Sequence, residues 1–231
     1  MQSPTRSFPF VLALLGAAAC SDSGGSADRE QAPASQEPDA SMTAANDNPF
    51  FSESPLYLQY PPFDRIETAH YLPAFERGMA AQLAEIAAIT AEEAPASFDN
   101  TILPLERSGR LLDRVSTVFS AMSSAHSNAG LREIEAEIAP RLAAHRDEIV
   151  LDDALFARIE AVYRQREALD LEAESLRLVE ETWKYFVRAG ARLDGAEKQR
   201  LRELNGKLAE LQTKFRQNVL AEVNDLAIVV E

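Results

Sequence analysis

Cysteine is almost absent, with one residue (Cys20) in 231. A lone thiol cannot build an intrachain disulfide framework, so the fold has to rest on packing. Histidine is nearly as scarce, with three residues, His70, His126 and His145. No two of them stand at i and i+4, and the sequence contains no H-E-x-x-H, so no zinc-binding helix of that type is present. Basic residues number 23 against 37 acidic ones, for a net charge of −14. Phosphate binding needs a basic face, so a nucleic-acid partner is excluded. The nine glycines are scattered. No glycine loop cradles a phosphate, and Gly24-Gly25 falls in a Ser/Ala-rich stretch. The one sustained apolar run, Phe8 to Leu15, is too short to cross a membrane.

That run is informative for another reason. It follows Arg6 and precedes the small residues Ala17, Ala18 and Ala19, the pattern of a secretory signal peptide over residues 1–20. Ala17-Ala18-Ala19 before Cys20 resembles a bacterial lipoprotein box, although Ala17 stands where leucine is usual. Lipidation of Cys20 and ordinary cleavage before it are the two readings. Lipidation is favoured because export of a free exposed thiol is awkward. With Ser21 next, the expectation is a periplasmic protein anchored to the outer membrane. Residues 21–48 contain no aromatic residue and one large apolar side chain, Met42. Such a segment buries too little to offset its chain entropy and is expected to be a disordered tether.

The segment Asn48 to Glu67, "NPFFSESPLYLQYPPFDRIE", carries prolines and aromatics in dense alternation. It reads as an extended lead-in docking aromatics on a core, with a ligand platform as the less favoured alternative. The rest is helical in pattern, and the expected fold class is all-α across 49–231. Leu72, Phe75, Met79, Leu83, Ile86 and Ile89 stripe a helix from about Thr68 to Glu92. "FDNTILPLERSGRLLDRVSTVF" predicts a second helix, capped among Asp99, Asn100 and Thr101 and continuous through Gly109. A mid-helix glycine costs about 1 kcal/mol relative to alanine, so another helix is expected to approach closely there. Asn128 caps a third helix with Pro140 inside as a kink, and Asp152 or Asp153 caps a fourth. A fifth runs from about Glu172 to Ala191. The sixth opens with Asp194 and Glu197 as a capping box. Leu201, Leu204, Leu208, Leu211 and Phe215 then alternate by three and four, predicting a seam buried against a neighbouring helix. The seam turns polar at Asn218, too soon for a free-standing coiled coil. A short strand, Leu226 to Val230, is expected last, and with no strand to pair with it reads as a sign that the polypeptide continues.

Residues that could carry chemistry stay isolated from one another. His145 lies on an apolar stripe, His70 at a helix start, and His126 in a loop beside Ser123 and Ser124 without an orienting acid. Glu133 and Glu137 share a helix face that water screens. No catalytic, metal-binding or cofactor-binding residue is assigned.

Five segments carry a resemblance: "NPFF…PPFDRIETAHYLPAFERGM", the Phe98–Phe119 stretch, "EIAPRLAAHRDEI", "FVRAGARLDGAEKQRLRELNGKLAELQTKF" and "QNVL". In order and spacing they resemble the N-terminal part of bacterial peptidyl-dipeptidases, which are thimet-oligopeptidase-like zinc peptidases. The resemblance implies a largely helical wall of a substrate channel. It implies zinc held by an H-E-x-x-H helix and a further glutamate, and release of dipeptides from short peptides. Those catalytic residues belong to a C-terminal region with no counterpart here, so none carries over, and this chain alone is expected to bind no zinc. The partners implied are short peptides, the C-terminal catalytic region, and a membrane through the lipid on Cys20. The alternative is a stand-alone helical lipoprotein that binds peptides or a partner without catalysis.

Overall fold

The computed structural model describes residues 47–226. The signal peptide, Cys20, nearly all of the expected tether and the expected strand beyond Leu226 lie outside them. Within the described residues the architecture is all-α, with no strand. In chain order the helices are α1 (Thr68–Thr90), a short α2 (Leu103–Arg107), α3 (Arg110–Ala125), α4 (Ala129–Val150), α5 (Asp153–Gln165), α6 (Ala173–Arg188) and α7 (Gly195–Asp225).

Local chemistry sets most of these ends. Asn128 accepts a hydrogen bond from Leu131 N–H, Asp152 from Leu155 N–H, and Asp194 from Glu197 N–H, as N-caps do. Glu197 returns the bond to Asp194 N–H and completes the predicted capping box. α1 opens with a less usual box, in which His70 Nδ1 accepts from Glu67 N–H at 2.9 Å. α4 keeps helical backbone through Pro140.

α1 and α4 each contribute to two apolar clusters. In the first, Tyr71, Ala74 and Phe75 of α1 meet Val115, Val118 and Phe119 of α3, with Leu131 and Ile138 of α4. Phe119 is the hub, with edge-on contacts to Tyr71 and Phe75 at 5.1 and 5.3 Å between centroids. In the second, Ile86 and Ile89 meet Leu155, Ile159 and Val162 of α5 and Val179 and Phe186 of α6. Asn48 belongs to the folded body. It is buried, and its amide donates to the His70 carbonyl at 2.8 Å.

Three expectations are corrected. The lead-in is only partly docked. Phe50 is buried against Tyr71, whereas Tyr57 is 87% exposed, and short helical turns interrupt the extended backbone. The second helix is broken. Ser97 caps a wide turn over Phe98–Ile102, and the helix ends at Arg107, with Ser108 as its C-cap, before a new one starts at Arg110. Gly109 sits between at φ +75°, a left-handed conformation that glycine adopts without strain. The expected close approach holds, since a Cβ at Gly109 would run into the Gln82 side chain of α1, and a second one occurs at Gly78, where a Cβ would lie 2.9 Å from Leu112 Cα.

The third correction concerns α7. Leu204, Leu208, Leu211 and Phe215 are 48, 52, 65 and 69% exposed. The face of α7 turned to α4 is polar and small-residued. Lys198 and Thr213 are buried there, the Asn205 amide donates to both Asp147 carboxylate oxygens at 2.8 and 3.0 Å, and Gln217 donates to the Arg132 carbonyl. Lys198 Nζ donates to the Leu151 carbonyl at 3.0 Å and pairs with Asp153. Of the expected seam Leu201 is half-buried against the second cluster, but from Leu204 onward leucine periodicity identified the helix correctly and pointed to the wrong face.

Candidate functional site

Ser108, at the break before Gly109, lines a cleft of about 540 Å³. α1 supplies Gln82, the α2 segment Leu105 and Ser108, α4 His145, Arg146 and Ile149, and α6 Glu181, Tyr185 and Phe186. α1 holds the break in place from below. Glu85 accepts from Gly109 N–H at 2.7 Å, placing a carboxylate at the start of α3 where the helix dipole favours it. The Gln82 amide donates to Ser108 Oγ at 3.4 Å, and its carbonyl oxygen lies 2.7 Å from His145 Nε2. With that oxygen as acceptor, Nε2 carries the proton.

Ser108, Gln82 and His145 therefore form a chain but not a catalytic relay. A serine nucleophile needs the imidazole on its own hydroxyl. Here an amide intervenes, and the Ser108 hydroxyl donates to the Leu105 carbonyl at 2.8 Å. His145 Nδ1 is buried without a hydrogen-bond partner. Burial pushes the His145 pKa down, with Glu148 opposing more weakly. The rest of the rim is ordinary surface chemistry. Arg146 Nε donates to the Tyr185 hydroxyl at 2.9 Å. The Lys184 ammonium bonded to the Glu181 carboxylate holds its pKa below the usual range.

The depressed imidazole makes stability depend on pH. A histidine held neutral in the folded chain takes up its proton more readily when unfolded. Its contribution is complete above about 6.5, the usual imidazole value, and is lost as pH falls from there toward the folded value. The thermal midpoint of the parent is expected to fall more steeply than that of His145→Gln between about pH 7.5 and pH 5.5, where the unfolded histidine titrates. Parallel curves would show that His145 is not the group responsible.

The other sequence candidates remain apart. His70 is occupied in its capping box, and His126 is exposed at the end of α3. Glu133 is exposed, and Glu137 is bound to Arg141 at 3.1 Å. No group of three or more His, Cys, Asp or Glu converges on a possible metal position among the described residues. The donor set that is present does not fit zinc, which takes at least three converging protein ligands. Sequence reasoning missed the pairing of His145 with Gln82 and the buried Asp147. Both depend on how α1, α4 and α7 cross, which no local spacing encodes.

No family model matches the chain. Among curated proteins it is 45% identical over 187 residues to a dipeptidyl carboxypeptidase of Escherichia coli, covering 78% of this chain and 28% of that protein. It is 46% identical over 174 residues to a dipeptidyl carboxypeptidase of Salmonella typhimurium, covering 75% and 26% respectively. A more distant similarity, 25% over 169 residues, links it to oligopeptidase A of Salmonella typhimurium, with 72% and 25% covered. The chain thus spans little more than a quarter of the dipeptidyl carboxypeptidases that it matches.

Proposed function

We propose, from a chain that matches the N-terminal part of the dipeptidyl carboxypeptidase family, that these residues are the non-catalytic helical portion of an exported zinc peptidyl-dipeptidase. The observation that carries the reading is the extent of the match, 45% identity across most of this chain within 28% of the relative. In this reading the full polypeptide hydrolyses short peptides, and zinc and its ligands come from the C-terminal catalytic region. The helical unit forms wall and scaffold, and the cleft beside His145 is a packing feature of that wall. Lipidation at Cys20 would tether the enzyme to the outer membrane on the periplasmic side.

The test is an activity comparison. The purified 231-residue chain is expected to retain no stoichiometric zinc after desalting and to release no dipeptide from short peptides. The same chain followed by the remaining region of the Escherichia coli relative is expected to release dipeptides, with activity lost to a chelator and restored by zinc. Water needs the metal to become a hydroxide nucleophile near neutrality, so the short chain has no equivalent route. Chelator-sensitive dipeptide release by the short chain alone would overturn the reading. An inactive extended polypeptide would count against the peptidase assignment.

A further inference from the structure

α7 has its polar face inside and its apolar face outside. Leu204, Leu208, Leu211, Phe215, Val219 and Val223 are all more than two-fifths exposed. At ~1.5 Å per residue they line a stripe about 28 Å long. Monomeric proteins seldom leave a contiguous apolar strip of that length in water, and such strips mark interaction surfaces. The stripe is not the loose side of a badly seated helix. Asn205, Thr213, Gln217 and Lys198 already fix the opposite face to the body. The leucines are therefore presented outward by a helix whose rotation is set.

We propose that this face seats the region that makes up the remaining, roughly three-quarter, share of the dipeptidyl carboxypeptidases, so that α7 is the joint between the helical unit and that region. The inference rests on the functional reading above. The argument for this occupant is length. Relatives at 45–46% identity retain nearly three quarters of their sequence beyond the match, and α7 lies in the last stretch described here. A second copy of this chain would need no such region, and it is the competing occupant.

Solvent labelling separates the possibilities. In a Cys20→Ser background, Leu211→Cys provides the sole thiol of the 231-residue chain. A maleimide is expected to label it at the rate of a free exposed thiol. In the extended polypeptide, followed at the peptide that contains residue 211, labelling is expected to slow by at least roughly tenfold, since it then waits for opening of the joint. Equal rates in the two contexts overturn the proposal. So does slow labelling of the short chain that speeds up on dilution, which would assign the face to a second copy. Leu208→Glu combined with Leu211→Glu gives an independent reading. It is expected to leave the denaturation midpoint of the short chain unchanged and to lower that of the extended polypeptide. An equal fall in both contexts would place these leucines in the core of the unit and sink the idea. Peptidase activity does not enter either readout. A protected but inactive extended polypeptide keeps the joint and removes the enzyme, whereas an active but unprotected one does the reverse.

Discussion

Gly78→Ala is expected to destabilise the chain by about 1–3 kcal/mol, the usual cost of overpacking a tight contact. The sign is the informative part. In an exposed helix interior, alanine is favoured over glycine by about 1 kcal/mol, because glycine surrenders more backbone freedom on folding. At Gly78 the added methyl would stand 2.9 Å from Leu112 Cα and 3.1 Å from Leu112 N. Those are backbone atoms of α3, so no side-chain rotation relieves the clash, and α1 and α3 must separate. The separation loosens the cluster in which Phe75 and Phe119 meet. Gly78→Val adds a branched side chain to the same space and is expected to exceed the alanine cost. Gly206 supplies the internal control. It too is helical, in α7, but a Cβ there has nothing within 4 Å. Gly206→Ala should raise stability by up to ~1 kcal/mol. Urea denaturation of the two variants measures both effects. Stabilisation by Gly78→Ala would show that the helices do not approach as described.

Gly109 in the broken second helix and Gly78 in α1 illustrate what local sequence conveys and what it does not. Caps are short-range chemistry, so Asn128, Asp152 and the Asp194–Glu197 box were legible, and with them most helix starts. Ser97 was not, because its partner Asn100 lies within a segment that reads equally well as a cap of its own. Gly109 reads as a helix interior because the apolar positions before and after it stay in phase. Its left-handed φ and the Glu85 carboxylate that receives its N–H come from the turn between α2 and α3 and from α1, far off in sequence. The expected close approach is present at Gly109, through the Gln82 side chain of α1, and a further backbone approach occurs at Gly78, of which the stripe of α1 gives no hint. In the cleft, the burial of His145 followed from its place on an apolar stripe. Its partner Gln82 is 63 residues away, and only the crossing of α1 and α4 brings them together.

Asn205→Leu is expected to cost about 3 kcal/mol, while Leu208→Ala one turn away stays within about 0.5 kcal/mol, the range of ordinary surface changes. This inverts what hydrophobicity suggests for α7. Asn205 is the donor to both oxygens of Asp147, which is only 2% exposed. Removing it leaves a buried carboxylate without its hydrogen bonds, and an unpartnered buried charge is among the most destabilising defects. Leu208 is half exposed in this chain, so truncating it opens no cavity. Asn205, Ala209, Thr213 and Gln217 recur every four residues, a stripe of small and polar side chains that lets α7 lie close along α4. That stripe was readable beside the leucines, yet the larger apolar residues drew the assignment. A double-mutant cycle tests the role of Asn205 directly. If its cost comes from stranding the carboxylate, Asp147→Leu in the Asn205→Leu background should restore most of the loss, since replacing both partners with apolar groups of similar size is often close to neutral. Costs that simply add would mean that Asn205 and Asp147 act independently, and that α7 is held to the body by something other than its polar face.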